Sequence, residues 1–236
     1  PPMDPDGTYC VSTSLQWESE CAAAADRIIL EVNPAIPHAD SSLRIPRERV
    51  ACAYEVHDPL LVLRYTGEIT PEEAAIGGYV SELIHDGDCV QFGLGGTPSA
   101  VAAALTDKHD LGIHTEMLCD SYLDMYKAGK ITNTHKRLDR YKSIFGLAIG
   151  SPDLYDWIRE NPGVVTYPIS YCNDPANVGK QDNFVSINNC ISVDLYGQIC
   201  AESSGIRQIS GTGGQLDFLE GAALSNGGKA FICLTS

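Results

Sequence analysis

A short apolar run that ends in glycines and continues into an alanine-rich segment is the feature that most constrains how this chain folds. The run at 90–94 indicates a buried strand. The glycines at its end are Gly93, Gly95 and Gly96. Thr97 is predicted to cap a helix over 98–107, and Pro98 favours the first turn of that helix. Such a turn presents backbone N–H groups at the positive end of a helix dipole, where an anion can bind.

A second short apolar segment carries a glutamate near its end. The segment is Leu111–Ile113, and Glu116 is predicted to lie at or just past the end of this strand. If the two strands are parallel neighbours, the right-handed connection places Glu116 beside the glycine turn. This is the carboxyl end of the sheet, where open α/β folds bind ligands.

The residues alone leave two interpretations of this arrangement open. A glycine turn, a helix and an acidic residue about twenty positions on are typical of a dinucleotide site, although Pro98 replaces the third glycine of that pattern. The other interpretation is a carboxylate nucleophile that faces a ring of amide donors. Glu202, which ends a strand-like run before the glycine loop Gly211–Gly214, is a competing carboxylate.

The acidic composition limits the classes of partner. The chain has 236 residues, a formal net charge of -15 and a pI near 4.6, which argues against binding to nucleic acid or to an anionic membrane surface. No apolar run is long enough for a membrane span. Six basic residues form either a solvated face or contacts to the phosphates of an anionic ligand. They are Lys127, Lys130, Lys136, Arg137, Arg140 and Lys142.

The cysteines and histidines do not follow a metal-binding pattern. None of the nine cysteines belongs to a C-x-x-C pair, which favours a reducing compartment over a disulfide framework or a zinc site. His114-Thr115-Glu116 matches the H-x-E half of the zinc nucleobase deaminases, but their P-C-x-x-C half is absent. We therefore expect no metal, and interpret His114 as a packing or hydrogen-bonding neighbour of Glu116.

Predicted strands and helices alternate along nearly the whole chain. The other predicted helices are 18–26, 71–84, 117–129, 151–160 and 215–224. The other predicted strands are 27–32, 60–63, 143–149, 164–168, 184–193, 198–201 and 230–234. Thr70 opens the helix at 71–84 with a capping signal, 173–183 is a polar loop, and 194–197 is a hairpin turn. This order predicts an α/β fold with open, mainly parallel sheets and flanking helices.

Four longer segments resemble one protein family. They are Gln91–Pro98 (QFGLGGTP), Asp110–Met117 (DLGIHTEM), Ser186–Asp194 (SINNCISVD) and Gly197–Phe218 (GQICAESSGIRQISGTGGQLDF). They look like the acetyl-CoA hydrolase/transferase group of family I coenzyme A transferases, in particular its 4-hydroxybutyrate and butyrate:acetate CoA-transferase branch. The resemblance covers nearly the whole chain and is weakest before residue 60.

The resemblance implies a CoA-transferase-like architecture of two similar α/β domains in a longer protein. Residues 1–66 are then the end of the N-terminal domain and residues 67–236 most of the C-terminal domain, with the boundary near Tyr65-Thr66-Gly67. We also expect a fragment that lacks both termini, because the chain opens at Pro1-Pro2-Met3 and closes in an apolar run.

The resemblance also implies roles for individual residues. Glu116 falls on the family's covalent, catalytic glutamate, and Glu202 on a position that we expect to line the pocket. The residues that fall on CoA-binding or oxyanion-stabilising positions are Gly93, Leu94, Gly95, Gly96, Thr97, Asn188 and Gly213. The family's Ile-Pro after the glycines is Thr97-Pro98 here, a change that a site built from backbone donors tolerates.

The activity implied is the transfer of coenzyme A between a short-chain acyl-CoA and a carboxylate such as acetate, through a glutamyl-CoA thioester. The alternatives are an acetyl-CoA hydrolase that uses the same glutamate and a non-catalytic nucleotide-binding module. We expect no permanently bound cofactor, a coenzyme A thioester as substrate, and a homo-oligomer without nucleic-acid or membrane partners. The expected compartment is the cytoplasm, or the mitochondrial matrix if the source is eukaryotic.

Overall fold

The computed structural model of the chain describes residues 1–63 and 67–235. Its helices are α1 (Glu18–Ala24), α2 (Pro71–Ser81), α3 (Gly96–Ala104), α4 (Asp120–Lys127), α5 (Pro152–Glu160), α6 (Ile169–Cys172), α7 (Pro175–Val178) and α8 (Gln215–Leu224). Its strands are β1 (Thr8–Cys10), β2 (Ile28–Val32), β3 (Asp40–Ser41), β4 (Arg44–Pro46), β5 (Val50–Glu55), β6 (Cys89–Phe92), β7 (Gly112–Leu118), β8 (Ser143–Ala148), β9 (Val164–Thr166), β10 (Phe184–Asn189), β11 (Ser192–Val193), β12 (Ile199–Cys200), β13 (Ser203–Ser204), β14 (Arg207–Gln208) and β15 (Lys229–Cys233).

Seven parallel strands form the main sheet. Their order is β15-β10-β6-β7-β8-β9-β3, and each neighbouring pair is parallel. The strands predicted to be parallel neighbours, β6 and β7, pair at Cys89↔Gly112 and Val90↔Ile113. The prediction of an α/β fold with a mainly parallel sheet and flanking helices is confirmed.

The central strands are buried on both faces, as strands of a parallel sheet usually are. All of β6 and the first four residues of β10 are buried. Phe92 at the end of β6 stacks on Tyr122 of α4 with 4.2 Å between the ring centroids, and both side chains are fully buried. This stacking holds α4 against the end of β6, where the glycine turn begins.

The capping box predicted at the start of α2 is present. Thr70 Oγ1 accepts a hydrogen bond from the Glu73 backbone N–H at 3.2 Å, and the Glu73 carboxylate accepts one from the Thr70 N–H at 2.9 Å. Two N–H groups at the start of the helix are therefore satisfied by its own residues. The helix ends at Ser81, three residues earlier than predicted.

The helix after the glycine turn begins at Gly96, two residues earlier than predicted. Gly95 is the N-cap residue and has φ +126°, a left-handed conformation that glycine adopts without steric cost. Thr97 lies in the first turn of α3 and makes no side-chain cap. The prediction that Thr97 caps this helix was wrong, because the backbone turns at Gly95.

The strand that carries Glu116 is longer than predicted. Its pairing with β8 continues to Leu118↔Ala148, so Glu116 lies inside β7 and not past its end. The following helix begins at Asp120 rather than at 117. Because Thr115 and Met117 both pair with β8, the backbone of Glu116 is held in the sheet by the residue before it and the residue after it.

Three further predictions changed on the structure. Residues 60–63 form no strand, and Val62 makes only an isolated bridge to Gly150. The strand predicted over 184–193 breaks after Asn189, and β11 pairs antiparallel with β12 in the hairpin that was predicted at 194–197. The loop predicted over 173–183 contains the short helix α7.

The first part of the chain builds two small sheets and also joins the main one. β1 pairs with β4, β2 pairs with β5, and β3 pairs with β9 at the edge of the main sheet. Two of the three residues of the domain boundary predicted at Tyr65-Thr66-Gly67, residues 65 and 66, lie outside the described residues. The division into residues 1–66 and 67–236 stays a prediction.

Candidate active site

The carboxylate of Glu116 is partly buried and is held by an amide from a distant segment. Its Oε2 accepts a hydrogen bond from Asn173 Nδ2 at 2.9 Å. Asn173 directly follows α6, and α6 contacts β7. Within residues 1–63 and 67–235 no cationic side chain forms an ion pair with Glu116. The carboxylate is thus oriented by a neutral donor, which does not neutralise its charge.

A glycine lets the backbone before α8 approach this carboxylate. A Cβ atom at Gly214 would overlap both Glu116 Oε2 and Asn173 Nδ2, so no larger residue fits while the two side chains keep their positions. Gly214 is also the N-cap residue of α8. The Glu116 side chain therefore lies at the positive end of a helix dipole, which is a favourable position for a negatively charged group.

Two cavities meet at Glu116. The smaller one, of about 300 Å³, is lined by five of the predicted site residues, and the competing carboxylate Glu202 lines it as well. These five residues are Gly93, Leu94, Glu116, Asn188 and Gly213. The larger cavity, of about 690 Å³, is lined by Glu116, Asn173 and Gly214 together with Glu20 of α1. Glu116 can therefore be reached from two sides.

The other three predicted residues lie apart from Glu116. Gly95 lines a third cavity, of about 380 Å³, between α3 and α4, which Gly93 and Leu94 also line. Gly96 and Thr97 are buried in the first turn of α3. The glycine turn therefore reaches the smaller cavity only through Gly93 and Leu94.

Amide side chains line the smaller cavity beside Glu116. The Ser186 hydroxyl oxygen lies 3.0 Å from Gln91 Oε1 and 2.9 Å from Asn188 Oδ1, and it donates its single hydrogen to one of them at a time. Because both amide oxygens face this hydroxyl, the NH₂ groups of Gln91 and Asn188 are left as donors, and both residues line the cavity. Such donors suit a carboxylate or a developing oxyanion better than an apolar group.

His114 is fully buried two residues before Glu116. Its Nε2 lies 2.9 Å from the Cys172 carbonyl oxygen. Burial, with a smaller contribution from the charge of Lys136, lowers the pKa of His114 to about 4, so the ring is neutral at pH 7. His114 was predicted to pack against or hydrogen-bond Glu116, but its hydrogen bond goes to Cys172 instead.

One member of the basic cluster is a core residue. Lys136 is buried, and its Nζ donates to the carbonyl oxygens of Ile113 at 2.8 Å and Lys142 at 2.6 Å. Burial lowers the pKa of Lys136 to about 8. Neither a solvated position nor a phosphate contact describes Lys136, because its ammonium group joins β7 to the loop before β8.

The described residues bring one group of potential metal ligands together, and it is remote in sequence from Glu116. Asp4, Cys10 and His38 lie within ligating distance of one another. Asp4 is already paired with His38 at 2.6 Å and with Arg44 at 2.7 Å, and burial raises the pKa of the Cys10 thiol. A cation here would have to displace Arg44 and deprotonate a buried thiol, so these residues fit a metal poorly.

Sequence reasoning missed two residues that contact Glu116. Asn173 lies 57 positions after it in a segment predicted as polar loop, and Gly214 was treated as part of a glycine loop without a role of its own. The only local signal for Gly214 was a second glycine directly before the helix at 215–224. The local sequence around Asn173 gave no such signal.

Known coenzyme A transferases are similar to this chain. The profile of the acetyl-CoA hydrolase/transferase C-terminal domain matches residues 150–236. A succinyl-CoA:cyclohexane-1-carboxylate CoA transferase of Geobacter metallireducens is 44% identical over 235 residues, which are 100% of this chain and 54% of that protein. A probable butyrate:acetyl-CoA coenzyme A-transferase of Syntrophomonas wolfei is 54% identical over 173 residues, which are 72% of this chain and 39% of that protein.

A solved structure shares the fold. The 4-hydroxybutyrate CoA-transferase of Porphyromonas gingivalis superposes with a TM-score of 0.86 at 34% identity, over 97% of this chain and 55% of that one. The chain spans about half the length of the curated relatives that it matches along its whole length. From its matched C-terminal domain, its relatives and its fold, the chain belongs to the acetyl-CoA hydrolase/transferase family.

Proposed function

We propose that the complete protein containing this chain transfers coenzyme A from a short-chain acyl-CoA to a small carboxylate such as acetate or butyrate, through a thioester on Glu116. The observation that carries this proposal is the Glu116 carboxylate itself, which has no cationic partner among the described residues and lies where two cavities meet. A carboxylate whose role was only to stabilise the fold would be more stable if it were paired with a cation or fully exposed to solvent. The similarity to CoA-transferases acting on butyrate and 4-hydroxybutyrate supports the substrate class.

The chemistry needs only the carboxylate and the two substrates. Glu116 attacks the thioester carbonyl and forms a C–O bond. The C–S bond then breaks, which gives an acyl-glutamyl anhydride and the CoA thiolate. The thiolate then attacks the glutamyl carbonyl, which forms the glutamyl-CoA thioester and releases the first carboxylate. An acceptor carboxylate repeats these two steps in the opposite direction, and Glu116 is regenerated.

Each step passes through a tetrahedral oxyanion, so the position of hydrogen-bond donors decides the rate. Gly213 and the N-terminus of α8 lie beside Glu116, and the amides of Gln91 and Asn188 line the same cavity. We assign oxyanion stabilisation to these groups, together with the Gly93–Leu94 backbone. One such donor is typically worth about 3–4 kcal/mol.

The glycine turn is assigned to coenzyme A. Gly93 and Leu94 line both the smaller cavity and the cavity between α3 and α4. A coenzyme A molecule that passes along these two residues would therefore extend from the cavity between α3 and α4 to Glu116. Gly95, Gly96 and Thr97 then act through the shape of the turn. Asn188 and Gly213 contact the thiol end of the molecule in this assignment.

An acetyl-CoA hydrolase is the second candidate, because Glu202 lines the same cavity as Glu116 and a second carboxylate there can accept a proton from water. The nucleotide-binding module is not favoured. In that interpretation the acidic residue serves the glycine turn, whereas the Glu116 carboxylate contacts Asn173 and approaches Gly214.

The decisive experiment is intact mass spectrometry of the complete protein after incubation with butyryl-CoA, followed by peptide mapping. We expect a CoA adduct on Glu116, loss of the adduct in Glu116→Gln, and a fall in transfer rate of roughly a thousandfold or more in that variant. Transfer at the normal rate by Glu116→Gln would refute the proposal. Release of free CoA without an acceptor carboxylate, at the rate seen with acetate, would identify a hydrolase.

Partners and compartment follow from the same proposal. We infer a homo-oligomer in the cytoplasm, or in the mitochondrial matrix if the source is eukaryotic, with no permanently bound cofactor and no nucleic-acid partner. The net charge of -15 supports the last point. In residues 1–63 and 67–235, none of the helices combines the length and the apolar character that a membrane span requires. Light scattering of the complete protein measures the oligomeric state directly.

A further inference from the structure

His114 and Glu116 lie two residues apart in β7, so their side chains are on the same face of the strand. The Glu116 carboxylate reaches Asn173, and the His114 ring reaches the residue before it, Cys172. The imidazole itself does not border either cavity beside Glu116. Whatever His114 contributes to the site must therefore pass through the Cys172–Asn173 segment.

The peptide group between Cys172 and Asn173 is held on both sides. Its carbonyl oxygen lies 2.9 Å from His114 Nε2, and its N–H donates to the Ile169 carbonyl at 2.9 Å. Two hydrogen bonds of opposite direction fix the plane of a peptide group. They therefore also fix the Cα atom from which the Asn173 side chain extends to Glu116.

We infer that His114 is a positioning residue, which through the Cys172–Asn173 peptide keeps the Asn173 amide on the Glu116 carboxylate. The inference rests on the proposed function of Glu116. In that function the Asn173 NH₂ group orients the carboxylate for attack and donates to the same oxygen when it becomes part of the glutamyl carbonyl. A shift of the amide would weaken both effects without changing the cavities in which substrates bind.

The contact also defines the state of the ring. A carbonyl oxygen only accepts hydrogen bonds, so Nε2 must carry the hydrogen. Nδ1 is then an acceptor, and it is buried without a partner in the described part of the chain. The rings of Phe184 and Tyr171 lie near the His114 ring, at 6.2 Å and 6.1 Å between centroids. Among the described residues, the hydrogen bond donated by Nε2 is thus the one polar contact that the ring makes.

This assignment selects the variants. His114→Gln can place an N–H near the position of Nε2, whereas His114→Met has a similar length and shape without a donor. His114→Phe keeps a ring without a donor and replaces the Met variant if that protein does not fold. Asn173→Ala removes the group through which His114 is inferred to act.

The test measures kcat and KM for butyryl-CoA and acetate in the complete protein, for the single variants and for His114→Met combined with Asn173→Ala. We expect His114→Met to lower kcat about tenfold, the effect of one neutral hydrogen bond, with KM changed less than about twofold. His114→Gln should keep a kcat within about threefold of the wild type. In the Asn173→Ala background, His114→Met should change kcat by less than about twofold, because coupled residues are not additive.

Three results overturn the inference. A wild-type kcat in both His114→Met and His114→Phe shows that the hydrogen bond does not contribute to catalysis. An equal loss of kcat in His114→Gln and His114→Met shows that the ring contributes through packing alone. A full tenfold loss in the Asn173→Ala background shows that His114 acts independently of Asn173. Failure of the proposed function is a separate observation, since the wild-type protein would then form no CoA adduct and transfer no CoA.

Discussion

At the scale of single residues, the position of the Glu116 carboxylate depends on residue 214 being a glycine. A Cβ atom at Gly214 would overlap Glu116 Oε2 and Asn173 Nδ2. We expect Gly214→Ala to displace the carboxylate from its amide partner and to lower kcat of the proposed transfer by roughly a hundredfold, since small misplacements of reacting groups are costly. Steady-state kinetics of the complete protein measure this change.

The neighbouring loop offers the control. A Cβ atom at Gly211 meets no atom within 4 Å, and its φ is not in the left-handed range. Gly211 also lines the smaller cavity, but a methyl group there does not touch Glu116, so Gly211→Ala should lower kcat much less than Gly214→Ala. If Gly214→Ala were as active as Gly211→Ala, Glu116 would work without the close approach of the backbone before α8.

Burial of His114 makes the stability of the chain depend on pH. The pKa of this ring is lowered from 6.5 to about 4, so between these values the unfolded chain binds the proton more readily than the folded one. The free energy of unfolding is therefore unaffected by protonation of His114 above pH 6.5 and decreases as the pH falls from 6.5 toward 4. Between pH 7 and pH 5 the loss amounts to about 2 kcal/mol.

His114→Gln removes the titrating group and keeps a donor. Urea unfolding of the 236-residue chain at pH 7 and pH 5 should show a fall in unfolding free energy that is about 2 kcal/mol smaller in His114→Gln than in the wild type. Equal falls in both proteins would mean that His114 titrates normally in the folded chain.

The structure brings five of the predicted residues to one cavity. Glu116, Gly93 and Leu94 were indicated by the strand and glycine-turn pattern, and Asn188 and Gly213 by the family resemblance; all five line the smaller cavity, and their roles stay predictions. Asn173 and Gly214 were not predicted, because their importance comes from contact with a residue far away in the chain. A hydrogen bond across 57 positions leaves no local pattern.

At the scale of elements, α2 and α3 pack closely because of a glycine. A Cβ atom at Gly77 would lie 2.7 Å from the Ala100 carbonyl oxygen, whereas a Cβ at the adjacent Gly78 meets nothing within 4 Å. We expect Gly77→Ala to lower the unfolding free energy by about 1–3 kcal/mol through overpacking. Gly78→Ala should raise it by about 0.5–1 kcal/mol, because alanine loses less backbone entropy in a helix.

This matched pair separates packing from helix propensity. Both changes are Gly to Ala in the same helix, so equilibrium unfolding of the two variants compares only the surroundings of the two positions. Stabilisation by both substitutions would show that α2 can move away from α3 at no cost. Because α3 follows the glycine turn, such movement would also loosen the turn.

The length of β7 shows where element prediction fails. Only the short apolar segment Leu111–Ile113 indicated this strand, and Glu116 was predicted to lie at or just past its end. In the structure His114 and Thr115 are fully buried, and each has a hydrogen-bond partner outside the strand: the Cys172 carbonyl for His114, and the Tyr122 hydroxyl, at 3.1 Å, for Thr115. Polar residues extend a buried strand when such partners exist.

At the scale of the whole molecule, the alternation of strands and helices was sufficient to predict the class of fold. It did not predict the order of the seven strands or the place of β3 at the edge beside β9. β3 has only two residues, too few for any periodic pattern. Its place is decided by pairing with a strand more than a hundred residues later in the chain.

The nine free cysteines report on the packing of the whole chain. Cys21 and Cys52 are exposed, and Cys190 and Cys200 are partly exposed. The other five are buried: Cys10, Cys89, Cys119, Cys172 and Cys233. Burial raises the pKa of Cys89 to about 12 and that of Cys119 to about 11, so these thiols are both inaccessible and protonated, and an attacking thiolate is not available at neutral pH.

Titration of the 236-residue chain with a chromogenic disulfide reagent at pH 7.5 should therefore proceed in stages. We expect Cys21 and Cys52 to react first. Cys200 should precede Cys190, because hydrogen bonds from Ser203 lower the pKa of Cys200 whereas burial raises that of Cys190. The remaining five thiols should react only at the rate of unfolding, and all nine should react in denaturant.

Replacing Cys21 and Cys52 by Ser is the control and should abolish the first stage alone. If a fifth thiol reacted faster than the chain unfolds, the core would open without global unfolding.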